Sequence, residues 1–245
     1  VQGFEAARME WEAALPARVY APDPRIARVW EQTAYHMIGA MECDLPRISV
    51  NNYPIFWIRD CVIVLRALDL MGRDDLVREG CDYLAPLIFS GGFGAESDNP
   101  GEGLWLLSEH ALLGGEWEWA RSILPHLAER VKWIRRMAEA EEPIYRPADM
   151  RTIWGHFCPG SDLVCLRHKG NHIHGRMDGH SPDYYINVWA VAGLRSACRL
   201  LEKIGETEKF VEWCALKRRL ENAVRDELFD TYGNERDLCV SPYPA

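Results

Sequence analysis

The chain has 245 residues, of which 48% are hydrophobic and 27% charged, a composition typical of a folded globular protein and not of a disordered one. No apolar run approaches the roughly 20 residues that a membrane-spanning helix needs, so no membrane segment is expected. The 28 basic and 37 acidic side chains give a net charge of −9, which argues against a nucleic-acid-binding protein, because contacts to phosphates rely on lysine and arginine.

Hydrophobic residues recur at helical spacing through most of the chain. A first helix is predicted after Asp23, a capping residue that is followed by Pro24 in the first helical turn. Pro125 is expected to kink or split a later helix. Residues 48–56 predict at most a short strand, because prolines lie before and within them. The remaining helices alternate between nearly all-apolar and amphipathic, over residues 60–71, from 74 onward, 102–113, 116–139, 183–204 and 207–229.

Each apolar helix ends at a glycine, the expected C-terminal cap, in the steps Met71-Gly72, Leu113-Gly114 and Ile204-Gly205. The chain thus repeats a buried helix, a glycine turn and an amphipathic helix in the same order. This repeat is either a general consequence of how helices begin and end, or the pattern of an array of helical hairpins that share a core. We predict an all-α fold, and the alternation of inner and outer helices favours a closed α/α toroid. Residues 1–245 would then form a single domain with too few helices for the whole ring. It would be the N-terminal part of a larger domain, or be completed by a second chain.

The eight cysteines lie mostly within apolar helical patterns, where a free thiol behaves as a small buried hydrophobe. A chain of this length with a large core does not depend on a disulfide framework. We therefore expect a reducing compartment and a cytoplasmic protein.

Three segments without helical spacing each lead into a buried helix, namely residues 51–60, 90–101 and 168–182. In a toroid, the loops that lead into the inner helices lie at the same end of the central cavity. We therefore expect these segments to meet at one pocket. The long non-helical stretch 141–182 also favours a functional role, since loops of that length are uncommon inside compact domains.

The first of these segments ends in Trp57, Arg59 and Asp60 at the start of an apolar helix. Opposite charges at such a position are costly unless they contact each other or a ligand. One interpretation is an ion pair at the helix start, with Asp60 near the positive end of the helix dipole. The other is a sugar-binding surface, in which the indole contacts the apolar face of a pyranose while Arg59 and Asp60 bind its hydroxyl groups.

Glu96 and Asp98 lie in the second segment. They are either solvated loop carboxylates or a helix cap, or else ligands for hydroxyl groups at the same cavity.

Five of the eight histidines lie between residues 156 and 180. Their spacing matches no standard zinc pattern, so we interpret them as hydroxyl-binding or surface residues and predict no metal and no cofactor. The glycines of 91–94 lack the preceding strand and following lysine of a phosphate-binding loop.

Residues 53–60, Tyr-Pro-Ile-Phe-Trp-Ile-Arg-Asp, together with the following apolar helix, resemble the W-x-R-D segment of glucoamylase-type and related six-hairpin glycosidases. Residues 97–110, with Asp98, Leu104-Trp105 and Ser108-Glu109-His110, are similar to the D-G-x-G-x-x-L-W-A-L-x-E-H stretch of bacterial members. The helix around Trp189 resembles the next inner helix. The resemblance covers roughly residues 24–230.

This resemblance implies an (α/α)6 barrel and the hydrolysis of glycosides with inversion, by one carboxylic acid and one carboxylate. It places Trp57, Arg59 and Asp60 at the subsite of the non-reducing sugar and makes Trp105 a second aromatic wall. The substrate is therefore expected to be a carbohydrate, and this chain the N-terminal part of a larger catalytic domain.

The general acid of these families lies in the loop before the third inner helix, where Asp178 occupies the matching place here. The W-E-E motif of glucoamylases is absent from this loop. Burial near aromatic side chains would keep Asp178 protonated, whereas an Asp-Gly pair is also a common turn. No residue of this chain matches the catalytic base.

Two other functions are compatible with the sequence. One is a sugar-modifying but non-hydrolytic α/α barrel, either an epimerase or a phosphorylase, which the histidine-rich loop favours. The other is a non-enzymatic helical-repeat binding protein with an open concave face, and the aromatic and charged W-x-R-D segment argues against it.

Overall fold

A computed structural model describes residues 2–15, 17–43, 45–49, 56–89, 96–139 and 184–232. These residues form α1 Gln2–Ala13, α2 Pro24–Gly39, β1 Met41–Glu42, β2 Leu45–Pro46, α3 Ile58–Leu70, α4 Asp74–Leu84, α5 Asn99–Gly114, α6 Trp117–Glu139, α7 Tyr184–Ile204 and α8 Thr207–Tyr232. The predicted all-α fold is confirmed for this part of the chain. None of the helices in these ranges is both long and apolar enough to cross a membrane.

The ends of the helices follow from local residue chemistry. Asp23 accepts a hydrogen bond from the backbone N–H of Arg25 at 2.9 Å, and Pro24 is the first residue of α2, as predicted. Gly72 and Gly205, which follow α3 and α7, have φ angles of 81° and 79°, in the left-handed region that favours glycine. α6 continues through Pro125 as one helix, so the proline does not split it.

The two short strands pair antiparallel, with Met41 opposite Pro46 and Glu42 opposite Leu45. Between them Cys43 has a φ of 55°, which allows the tight reversal. The described part of the range predicted as a short strand, residues 48, 49 and 56, is not in a strand.

The hairpins pack in two layers. α5 contacts α3 on one side and α7 on the other, and these three helices form the first layer. Each also packs against the helix that follows it, so α4, α6 and α8 form the second layer, in which α4 also contacts α5 and α6 also contacts α7. One continuous hydrophobic core fills the space between the layers. The described residues thus contain three consecutive hairpins, while closure into a toroid stays a prediction.

A separate small core connects the N-terminal helices to this array. Leu15, Ala34 and Met71 are buried together, and Met71 immediately follows α3. Trp11 of α1 also packs edge to face on Tyr35 of α2, with ring centroids 5.5 Å apart.

α5 and α7 are in backbone contact where two glycines face each other. A Cβ atom at Gly193 would lie 2.4 Å from the carbonyl oxygen of Gly101. A Cβ atom at Gly101 would lie 2.6 Å from the carbonyl carbon of Trp189. The absence of side chains at both positions is therefore what lets these helices approach so closely.

Arg130 of α6 is fully buried and binds backbone carbonyls. Its Nη2 donates to the carbonyl oxygens of Leu84 at 2.7 Å and Leu87 at 2.9 Å, at and just beyond the end of α4. Burial lowers the pKa of Arg130 to about 10, so the side chain is still a cation at neutral pH. The positive charge lies at the negative end of the α4 dipole, which stabilises it there.

Candidate functional site

Arg59 is held by two carboxylates from a distant part of the chain. It lies in the first turn of α3, where its side chain is 20% exposed. Its Nε donates to Asp98 Oδ2 at 3.1 Å, and its Nη2 donates to Glu96 Oε2 at 2.6 Å. Its third nitrogen, Nη1, has no hydrogen-bond partner in the described part of the chain. The start of α3 and the segment before α5 therefore meet at this guanidinium.

Burial decides the electrostatics of this group. Asp98 is fully buried and the side chain of Glu96 is 12% exposed. Burial raises the pKa of Asp98, and the Arg59 guanidinium opposes that shift. Burial alone would lower the pKa of Arg59, but the charges of Asp98 and Glu96 raise it instead. The three side chains therefore form one charged unit, in which removal of Arg59 leaves two carboxylates without their cation.

A third carboxyl group, that of Glu102, lies one helical turn after Asp98 on α5. Glu102 is fully buried, and its Oε1 lies 3.5 Å from the hydroxyl oxygen of Tyr185 on α7. Its Oε2 has no hydrogen-bond partner in the described residues. Burial and the negative charge of Asp98 raise the pKa of Glu102 well above its usual range. Burial also raises the pKa of Tyr185 to about 12.

Aromatic side chains lie on the same helices as these charges. Trp57 immediately precedes α3 and is 9% exposed. Trp105, half-buried on α5, packs edge to face on Trp189 of α7 with ring centroids 5.2 Å apart. Trp189 in turn contacts Tyr185, with centroids 5.9 Å apart. The aromatic cluster of Trp105, Trp189 and Tyr185 thus reaches the carboxyl group of Glu102 through the tyrosine hydroxyl.

The remaining predicted site residues are placed as follows. Asp60 is half-buried in the first turn of α3, next to Arg59. Within the described residues, Arg59 bonds to Glu96 and Asp98 and not to its neighbour Asp60. Asp178 lies outside the described residues, as do the five histidines between residues 156 and 180.

Sequence reasoning missed Glu102 and Tyr185. The sequence signal for Glu102 is an acidic residue at the start of the nearly all-apolar stretch 102–113. A buried position on such a helix is unfavourable for a carboxylate unless a partner or a proton compensates it. Tyr185 carries no comparable signal, because aromatic residues are common in helix cores.

A second buried ionic cluster lies further along the same helices. Arg66 on α3 binds Asp69 Oδ2 at 2.8 Å and Glu109 Oε2 at 3.0 Å. Glu109 on α5 also accepts from the hydroxyl of Ser196 on α7 at 2.6 Å, and His110 Nδ1 lies 3.0 Å from Asp69 Oδ1. This cluster ties the three helices of the first layer together away from Arg59, and it serves as an internal comparison for the Arg59 group.

Comparison of this chain with protein-family models, with curated proteins and with solved structures gives no match. Within the described ranges, no group of three or more histidine, cysteine, aspartate or glutamate side chains is arranged to hold a metal ion.

Proposed function

We propose that this chain is the sugar-binding part of a glycoside hydrolase built on an α/α toroid, which cleaves glycosidic bonds by general acid/base catalysis with inversion. One observation carries the proposal. Arg59 and Glu96, which are 37 residues apart in the chain, are joined by a 2.6 Å ion pair. They belong to, or lie next to, the two segments that resemble six-hairpin glycosidases, and this contact between the segments supports a shared sugar site.

The exposed parts of the Arg59 and Glu96 side chains suit a neutral polyhydroxyl ligand. Arg59 Nη1 is not held by either carboxylate, and it can donate to a sugar hydroxyl. Glu96 keeps 12% of its side chain exposed and can accept from one. The half-buried indole of Trp105 provides an apolar surface of the kind that packs on a pyranose ring. The fully buried Asp98 supports Arg59 and does not itself reach a ligand.

The catalytic part of the proposal depends on residues outside the described ranges. Asp178 is the proposed general acid, on the resemblance alone. Inversion needs a second carboxylate about 6.5–9.5 Å from the acid, with room for the attacking water. That base is proposed to come from hairpins that complete the toroid, either in the same polypeptide or in a second chain.

The test is saccharide affinity in two matched arginine variants, measured by calorimetric titration with a panel of neutral mono- and oligosaccharides. Arg59→Lys keeps the positive charge beside Asp98 but loses the planar set of donors. We expect it to weaken the binding of any sugar that the wild type binds by about ten- to a hundredfold, as for the loss of a charged donor. Arg66→Lys is the control, because Arg66 lies on the same helix and also binds two carboxylates.

Equal losses of affinity in the two variants would contradict the assignment of Arg59 as a sugar ligand. Binding of none of the saccharides would contradict the carbohydrate proposal itself and favour a helical-repeat binding protein. Hydrolysis by the complete toroid is tested by the anomeric form of the first product, observed by proton NMR. Retention of configuration would exclude the inverting mechanism.

A further inference from the structure

Glu102 is a fully buried carboxyl group near Arg59, and the site proposed above gives it no direct contact with a ligand. It lies four residues after Asp98, on the same face of α5. Both side chains are fully buried. Its backbone N–H donates to the Asp98 carbonyl at 3.0 Å, so the first turn of α5 holds the two residues in a fixed relation.

The charges around Glu102 do not balance if it is ionised. Arg59 is the one cation bonded to this group in the described residues, and its two bonds go to Glu96 and Asp98. The side-chain contacts of Glu102 that the structure shows are with the neutral hydroxyl of Tyr185 and with the carboxyl group of Asp98, and neither partner is a cation. An ionised Glu102 would therefore be a third buried carboxylate without a cation of its own, which is strongly unfavourable.

Bulk water does not compensate such a charge, because Glu102 has no exposed surface. Gly101, the residue before Glu102, is in backbone contact with Trp189 of α7, where even a Cβ atom would lie 2.6 Å from the carbonyl carbon. Tyr185, one turn earlier on α7, contacts the ring of Trp189. Oxygen Oε2 of Glu102 also lacks a hydrogen-bond partner in the described residues. A proton on Glu102 removes the charge and gives the carboxyl group a donor.

We propose that Glu102 is a neutral carboxylic acid that donates a hydrogen bond to the Asp98 carboxylate and so positions Asp98 against Arg59. Glu102 is then a positioning residue, which acts on a ligand through Asp98 and Arg59. Its role in sugar affinity rests on the proposed function, whereas its protonation does not.

The pKa directions agree with this assignment. Burial raises the pKa of Glu102 well above its usual range, and the neighbouring charge of Asp98 adds to the rise. The other ionisable groups that face it are Arg59 and Cys61 on α3, Glu96 before α5, and Tyr185 on α7. Of these, Arg59 is the one that favours ionisation of Glu102.

The sign of the pH dependence follows from the raised pKa. Unfolded Glu102 loses its proton near the ordinary glutamate value, while the folded protein keeps it. Between these two values the folded state binds one more proton, so its stability falls as the pH rises. The folding equilibrium constant of the wild type should fall relative to that of Glu102→Gln by about tenfold per pH unit in this window, because glutamine does not titrate.

Two measurements on the ligand-free chain test the assignment. Infrared spectroscopy at pH 7 should show the carbonyl band of a protonated carboxylic acid in the wild type and in Asp98→Asn, and no such band in Glu102→Gln. Urea unfolding between pH 5 and 8 should show that the stability of the wild type falls, relative to that of Glu102→Gln, as the pH rises. A band that persists in Glu102→Gln, or identical pH profiles of the two proteins, would overturn the proposal.

A third measurement separates this inference from the proposed function. Glu102→Gln retains a neutral donor and should keep any saccharide affinity within about twofold, whereas Glu102→Ala should weaken it by about tenfold. Equal affinities in all three proteins would overturn the positioning role. If the infrared band is present but no saccharide binds the wild type, the proposed function fails and the neutral carboxyl group stands.

Discussion

Arg59→Met is expected to lower the free energy of unfolding by about 3–5 kcal/mol at neutral pH, because it removes the cation from a buried charge cluster. Asp98 has no exposed surface and the side chain of Glu96 is 12% exposed, so water cannot replace the guanidinium. Without Arg59 the pKa of Asp98 rises further, and the folded variant takes up a proton more readily. The deficit in stability should therefore shrink as the pH is lowered from 7 to 5, which urea unfolding at both values measures.

Arg25→Met is the matched control for this experiment. Arg25 also binds an aspartate at 2.6 Å, but its side chain is 86% exposed. An exposed pair of this kind contributes little to stability, so we expect no measurable change in urea unfolding. A similar effect of the two substitutions would contradict the conclusion that burial, and not the short distance, makes the Arg59 pairs important.

Gly193→Ala is expected to destabilise the fold by about 3 kcal/mol, at the upper end of what overpacking costs. Alanine in the middle of α7 would ordinarily stabilise the helix by about 1 kcal/mol. Here the new Cβ would lie 2.4 Å from the Gly101 carbonyl oxygen, an atom of the backbone that cannot turn away. α5 and α7 must therefore move apart along their closest contact. Thermal and urea unfolding of the variant measure the loss.

The control is Gly39→Ala at the last residue of α2, where the nearest atom to a new Cβ is a carbon of the Trp11 ring at an ordinary 3.7 Å. This change should be neutral or stabilise by up to about 1 kcal/mol, through the lower entropy of the unfolded chain. A stable, unperturbed Gly193→Ala protein would show that the two helices do not need backbone contact.

The helices were predictable because their signals are local. The apolar spacing and the capping residues predict α3 and α7 with ends within about two residues of those observed. The start of α5 was placed too late, at residue 102 instead of Asn99, because the polar residues before it look like a loop. In the structure this turn is buried and Asp98 is paired with Arg59, while the proton that we propose on Glu102 compensates the second carboxyl group.

The partners of Arg59 could not be predicted from the residues around it. Asp60 is its neighbour in the chain, yet the guanidinium bonds to Glu96 and Asp98. That choice depends on how α3 packs on α5, which no local pattern contains. The burial of Arg130 could not be predicted for a similar reason, because an arginine in an amphipathic helix normally faces solvent. Its position three residues after Leu127, on the apolar face, is the signal that could have identified it.

The fully buried Arg130 also determines how this chain can be divided. Its guanidinium on α6 donates hydrogen bonds to the carbonyls of Leu84 and Leu87, at and just beyond the end of α4. These bonds join the α3–α4 and α5–α6 hairpins, which could unfold one after the other in an open repeat array. A fragment that stops before α6 would leave the Leu87 carbonyl without this donor, while the Leu84 carbonyl would keep its bond from the Leu87 N–H at 3.0 Å. A fragment that begins after α4 would bury the Arg130 guanidinium without these acceptors. We therefore expect the α3–α4 and α5–α6 hairpins to exchange their amide hydrogens in a single opening event, and neither to be expressed alone as a folded piece.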